Sequence, residues 1–231
     1  MALGQKVQQW PLIYPNFLWI KFEKISLSNR LADRTMRLTE YVHLCLETLL
    51  KNCDSVLDAT AGNGYDTLKA AKLVQPNGNV VAMDIQKNAI KATEAKLTEA
   101  KLSHLCELHL GNHGECLGQI KQSFDCILFN LGYLPGSDKK IITTVKDTVS
   151  ALNQSQRLLK ENGALFVTAY RQHEGGQDEA YGVEAWMQQQ HTNGWYIETI
   201  EPKHQSHILS PILWIASRRT LTLPLFINEK F

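Results

Sequence analysis

The segment Val56-Leu-Asp-Ala-Thr-Ala-Gly-Asn-Gly-Tyr-Asp-Thr67 constrains the fold of this chain more than any other. A short β-branched run meets two closely spaced glycines and then a helical pattern. That is the strand–turn–helix opening of an α/β nucleotide-type sheet. Gly62 and Gly64 let the backbone approach a ligand closely. The dinucleotide fingerprint asks for a third glycine at position 67, and this chain has Thr67 there. Asp58 closes the strand just before the turn. A carboxylate at that place repels a pyrophosphate and favours a cationic ligand. S-adenosylmethionine carries a sulfonium and an ammonium and no phosphate, so it suits the acidic turn better than NAD does. A glycine turn that serves packing alone is the blander alternative.

Downstream, β-branched runs alternate with helical spacing. Strands are expected at 55–58, 79–83, 105–110, 124–129 and 163–170, with helices over 65–74, 87–102 and 139–160. The last of these helices rests on Ile141, Ile142, Val145, Val149, Leu152 and Leu159. A helix near 178–193 precedes two final strands, 195–200 and 212–217, with no helix between them. Such an order predicts a doubly wound, mostly parallel seven-stranded sheet closed by an antiparallel hairpin. A further helix runs from Ser28, as N-cap, to Lys51, and residues 1–27 form an N-terminal extension to a single domain over 28–231.

Composition excludes several classes. The 24 Lys and Arg against 23 Asp and Glu leave a net charge of +1, which argues against a protein that coats nucleic acid non-specifically. The apolar stretch at 10–20 is broken by Pro11, Pro15 and Asn16 and closed by Lys21, too short for a membrane helix, and no cleavable leader pattern is present. Five cysteines, Cys45, Cys53, Cys106, Cys116 and Cys126, contain no C-x-x-C, which fits reduced thiols in a cytoplasmic protein and no metal site.

Three loops at the expected carboxyl edge carry further chemistry. Asp84 ends the second strand, twenty-two residues after Gly62, where a carboxylate binds ribose hydroxyls; capping the helix from Lys87 is the alternative. Asn112 and His113, in Gly111-Asn-His-Gly114, would frame an adenine or simply turn the chain. The fourth strand ends in Phe129-Asn-Leu-Gly-Tyr-Leu-Pro-Gly136. Asn130 and the following backbone carbonyl are acceptors able to hold an amine with its lone pair aimed at a methyl group, and Tyr133 offers a ring to stack on a base. Methyl transfer to nitrogen needs positioning and a neutral amine, with no covalent nucleophile.

The fifth strand runs into Tyr170-Arg-Gln-His-Glu-Gly-Gly-Gln177, where His173 and Glu174 are placed to grip a substrate or relay a proton. Three weaker features remain. Arg30, Arg34 and Arg37 form a helical basic stripe able to meet phosphate, or a solvated face. Lys203, His204 and His207 lie at a candidate substrate entrance. Trp10, Tyr14, Phe17, Trp19 and Phe22 either stack bases or cover the core or a partner subunit, which keeps a homodimer among the expected partners.

The Asn130 loop resembles the Asn/Asp-Pro-Pro-Tyr loop of amino methyltransferases, with Leu131 and Gly132 in place of the prolines. Together, Asp58 to Thr67, Asp84-Ile-Gln86, Phe129 to Lys139 and His173 to Gly176 resemble the MnmM-type bacterial family, over about residues 35–217. That group was once labelled rRNA-methylase-like and is associated with tRNA wobble-uridine modification. Ser137, Gln172 and the absence of an acid in the third-strand loop depart from its pattern.

The resemblance implies a Rossmann-like class I methyltransferase. Its reaction would be methyl transfer from S-adenosyl-L-methionine to the primary amine of 5-aminomethyl-(2-thio)uridine at the wobble position. It implies cofactor contacts from Asp58, Ala59, Thr60, Gly62, Asn63, Gly64, Asp66, Thr67, Asp84, Ile85, Gln86, Asn112 and His113. Asn130, Leu131, Gly132 and Tyr133 would stand at the reacting amine. Tyr133, Pro135, Gly136, Asp138, His173, Glu174, Gly175, Gly176 and His204 would hold the substrate. The partner is then the anticodon region of tRNA, with no membrane involved. A methyltransferase of a small-molecule amine and an NAD-binding oxidoreductase are the alternatives.

Overall fold

Alternating side chains on the central strands feed two separate cores, one on each face of the sheet. The computed structural model describes residues 36–132, 144–201 and 209–226. The chain divides into two units between Arg34 and Thr35, and the architecture below is that of the second. Its elements run α1 (Leu38–Leu49), β1 (Ser55–Asp58), α2 (Tyr65–Val74), β2 (Asn79–Asp84), α3 (Lys87–Glu99), β3 (Cys106–Leu110), α4 (His113–Cys116), β4 (Phe124–Leu131), α5 (Val145–Leu158), β5 (Leu159–Ala169), α6 (Gly176–Thr192), β6 (Tyr196–Ile200) and β7 (Ile212–Ser217). The sheet order is β3-β2-β1-β4-β5-β7-β6. The first five strands pair in parallel, and β7 runs antiparallel to both β5 and β6. This is the expected doubly wound, Rossmann-like sheet with its closing hairpin.

The period of two explains the layering. Leu57, Val81, Ile127, Phe129 and Val167 point into a core with Leu152, Val183 and Trp186 of α5 and α6. Their neighbours Val56, Val80, Cys126, Leu128 and Phe166 point the other way, against Tyr41, Cys45 and Leu46 of α1 and Ala70, Ala71 and Val74 of α2. Strands buried on both faces read as continuous apolar runs, which is why they were visible in the sequence. The edge strands β3 and β6 carry Glu107, His109, Glu198 and Thr199 instead. The C-terminal segment crosses α1: the Tyr41 hydroxyl donates to the Pro224 carbonyl at 2.8 Å, and its ring meets Phe226 edge-on. That contact fixes α1, and with it His43.

Several boundaries differ from the sequence expectation. The first helix does not run from Ser28; Arg37 is extended (φ −75°, ψ 151°), and its N–H donates to Glu40 Oε2 at 3.0 Å, so α1 starts at Leu38. Arg37 therefore stands outside the helix; Ser28, Arg30 and Arg34, the rest of the expected stripe, lie outside the described residues. The 139–160 helix is shorter within the described residues, since Thr144 caps α5 by accepting from the Asp147 N–H at 3.3 Å. At its other end Leu159 is already extended and pairs with Phe124. The 87–102 helix stops at Glu99, where Lys101 takes a positive φ of 59°. The aromatics of 10–22 and Tyr133, Pro135, Gly136, Asp138, Lys203, His204 and His207 also fall outside the described residues. Among the described residues no helix is long and apolar enough to cross a membrane.

Candidate functional site

The strand order reverses between β1 and β4, and a crevice opens at the carboxyl ends of strands on either side of such a reversal. A cavity of about 770 Å³ occupies that place, lined by Ala59 to Asn63, Asp66, Asp84 to Gln86, Gly111 to His113, Asn130 to Gly132 and Tyr170 to His173. Five separate strand ends therefore meet in one chamber.

The turn after β1 is stitched to both neighbours: the Ala59 N–H donates to the Leu128 carbonyl and the Ala61 N–H to the Met83 carbonyl, each at 2.9 Å. Gly64 begins α2 in the left-handed region (φ 78°), and a Cβ there would stand 2.7 Å from Thr93 Cα of α3. Only glycine meets both conditions. Asp58 is fully buried and is not on the cavity wall. Its carboxylate accepts from the Thr67 hydroxyl at 2.6 Å and from the Thr60 N–H at 3.2 Å. Thr67, where a dinucleotide site would have glycine, is the hydroxyl that satisfies this buried acid. Asp58 thus supports the loop from behind.

Burial, reinforced by the Asp66 carboxylate, raises the Asp58 pKa from the ordinary 3.8 to about 7. The folded chain keeps this proton to higher pH than the unfolded chain does. Its contribution to stability is therefore present below the unfolded value and lost as pH rises towards the folded one. Asp58→Asn removes that titration. The melting temperature of the variant minus that of the native chain should climb between about pH 4 and pH 7; a difference flat with pH would contradict the assignment.

Asp84 accepts from the Gly62 N–H at 2.9 Å and the Gln86 N–H at 2.8 Å. It does not cap α3, whose N-cap is Gln86. Burial raises its pKa, while those two backbone donors pull it down. Each carboxylate oxygen keeps lone-pair capacity for a ligand hydroxyl. Asn112 is a turn residue, capping α4 by accepting from the Gly114 N–H at 2.7 Å. His113 is buried edge-on against Phe129, and its Nε2 has no hydrogen-bond partner. Burial lowers its pKa, so it lines the cavity as a neutral imidazole.

Asn130 carries the most specific arrangement. Its backbone N–H donates to Thr60 Oγ1 at 2.6 Å, and its side-chain Nδ2 donates to Asp66 Oδ2 at 2.6 Å. The other Asp66 oxygen lies 2.5 Å from His43 Nε2 of α1. The carbonyl of Leu131, the second acceptor expected here, takes the Tyr170 N–H at 3.1 Å and so joins β4 to the end of β5. Tyr170 and His173 stand beside Gly132, 3.4 and 3.5 Å from where a Cβ would be. Desolvation, then Asp66, raises the Tyr170 pKa and keeps it a neutral phenol. Glu174 is exposed and does not line the cavity, and Gly175 and Gly176 begin α6.

The sequence matches the family described as "Putative rRNA methylase" over residues 80–216, more than half of the chain. The chain belongs to that family. A curated relative from Arabidopsis thaliana, a "tRNA (mnm(5)s(2)U34)-methyltransferase, chloroplastic", is 39% identical over 162 residues, 64% of this chain and 58% of that protein. The chain thus spans about half the length of the curated relatives it matches. Among solved structures, a "putative rRNA-methylase" from Clostridium thermocellum is 32% identical with a TM-score of 0.72, covering 76% of this chain and 94% of that one. A "putative methyltransferase" from Streptococcus mutans in complex with SAH is 25% identical with a TM-score of 0.69, covering 78% and 97%.

Within this rRNA methylase-family chain, sequence reasoning missed His43, Tyr170, Arg171 and Asp147 as cavity residues, whereas Arg37, read as able to meet phosphate, does line the cavity. His43 sits on a helix twenty-three residues before Asp66, and nothing in its spacing points to a strand end; only the packing of α1 brings it there. Arg171 was legible only as part of its loop. It is held by the Ser210 carbonyl at 2.7 Å and by Glu201. Among the described residues, the Lys and Arg side chains in the cavity lining are Arg37 and Arg171, with Glu40, Asp66, Asp84 and Asp147 as its acids.

Proposed function

We propose that the chain is an S-adenosylmethionine-dependent methyltransferase that converts the primary amine of 5-aminomethyl-(2-thio)uridine at the tRNA wobble position to the methylaminomethyl form. The observation that carries this reading is one cavity lined both by the glycine turn with Asp84 and by the Asn130 amide. The name of the Arabidopsis relative supports the same substrate.

The residues present fit the cofactor. Gly62 and Asn63 offer a close backbone approach without a side-chain obstacle at the glycine. Asp84 accepts hydroxyl protons, as a ribose requires. The orphaned Nε2 of neutral His113 is a hydrogen-bonding atom suited to an uncharged heterocycle. Asp84, with Glu40 and Asp147 in the lining, gives the chamber the negative character that a sulfonium and an ammonium favour. When bound, the cofactor supplies an electrophilic methyl group.

The chain's own part is positional. Asn130 Oδ1 accepts an N–H of the substrate amine and leaves the nitrogen lone pair free to attack. Tyr170 and His173 flank the amine. Arg37 at the rim meets the phosphate backbone. Tyr133, Pro135, Gly136, Asp138 and His204 complete the substrate contacts in this reading.

Nucleoside mass spectrometry of aminomethyluridine-bearing tRNA incubated with the chain and S-adenosylmethionine tests it. A gain of one methyl on that nucleoside is expected. Transfer only to free small-molecule amines, or calorimetric binding of NAD in place of S-adenosylmethionine, would overturn it.

A further inference from the structure

An asparagine amide presents an acceptor on one side and a donor on the other, and rotation by half a turn exchanges them. An amine-holding site works with the oxygen inward and fails with the nitrogen inward. Something must therefore fix the rotation at Asn130. Thr60 bonds only its backbone N–H and leaves the side chain free to turn. Asp66, in the first turn of α2, supplies the missing constraint. An ionised carboxylate only accepts, so at 2.6 Å it must face the Asn130 NH2 group. Its second oxygen is held at 2.5 Å by His43 Nε2, an N–H donor in both the neutral Nε2 tautomer and the imidazolium. The Asp66 side chain is 16% exposed and that of His43 30%, so the chain from α1 to β4 is only partly open to water.

We propose that Asp66, held by His43, is a positioning residue that locks the Asn130 amide with its oxygen towards the substrate, and so makes the site selective for an N–H donor. This rests on the amine-methylating reading given above and assigns Asp66 to the amine side of the cavity, whereas its place in the glycine turn implies a cofactor contact. His43 acts at one remove: without its bond the carboxylate is free to rotate, and the hold on Asn130 loosens. The pair accounts for an acid that the turn does not need for its own backbone, since the described hydrogen bonds of Asp66 run to His43 and Asn130.

Reversing the polarity of the contact tests this. In Asp66→Asn the new amide can donate to Asn130 Oδ1 and turn the NH2 group inward. The loss expected is about a hundredfold in kcat on aminomethyl-bearing tRNA, with calorimetric affinity for S-adenosylmethionine unchanged. In the double variant Asp66→Asn with Asn130→Asp, position 66 donates and position 130 again offers an oxygen inward. At least about tenfold of the lost kcat should return. His43→Ala should lower kcat roughly tenfold, and His43→Gln, which keeps a donor, should restore most of it. An Asp66→Asn variant with native kcat, a loss of cofactor affinity that matches the loss of turnover, or a double variant no better than the single one would overturn the proposal.

A native chain that transfers nothing to the amine would instead sink the substrate reading. The orientation is then read from the Asn130 NH2 signals of isotope-labelled protein. Slow exchange in the native chain that is lost in Asp66→Asn supports the lock, and fast exchange in the native chain refutes it.

Discussion

Replacing Asn130 with alanine should lower kcat for methyl transfer by about 10²–10³-fold while affinity for S-adenosylmethionine stays native. The expectation follows from how the residue is divided. Its backbone N–H is anchored to Thr60 Oγ1 at 2.6 Å, and its strand pairing with Thr168 uses the main chain. Alanine keeps both, so β4 and the cavity wall survive. What disappears is the amide, with its acceptor for the amine and its NH2 group on Asp66. The Asp66 carboxylate is partly exposed, so water can take the vacated position, and the stability cost stays small. Turnover on aminomethyl-bearing tRNA and calorimetry with the cofactor check the two halves separately. A fully active variant would refute the amine grip, and an inactive one that no longer binds cofactor would move Asn130 to the cofactor site.

The second large effect falls on the fold. Gly64→Ala forces a side chain into the left-handed region at φ 78°, which costs about 1–2 kcal/mol. It also drives a methyl group to 2.7 Å from the Thr93 backbone. That neighbour is a Cα within α3, with no rotamer to give way, and overpacking of this kind costs about 1–3 kcal/mol more. A fall in melting temperature of roughly 4–20 °C is expected. Cofactor affinity should fall with it, because the turn that α2 and α3 clamp lines the cavity. A melting temperature within a degree or two of the native chain would show that α3 can recede from the turn.

How far the sequence spoke depended on the range of the interactions. The sheet was legible because two-sided burial writes continuous apolar runs such as Val80 to Met83 and Ile127 to Phe129. The helix ends were less so. Arg37 and Leu159 are compatible with helix by type, and the Glu40 carboxylate and the strand pairing with Phe124 decide their extended conformations. In the site, Gly62, Asp84 and Asn130 announced themselves by their places at strand ends, and the fold brings them to one chamber. Asp58 was visible as an acid, but its burial behind the wall depends on Thr67 folding back from α2. His43 had no local signal, since a half-buried histidine on an amphipathic helix reads like any boundary residue. Its bond to Asp66 depends on the packing of α1 against α2 through Tyr41, Cys45 and Leu46, with Tyr41 also held by the Pro224 carbonyl.

A crystal structure of the chain with the demethylated cofactor product and the aminomethyl nucleoside measures the central claim directly. The account predicts the amine nitrogen within about 3 Å of Asn130 Oδ1, with the amide NH2 group still on Asp66. An amine held elsewhere in the cavity, or one facing the Asn130 nitrogen, would contradict it.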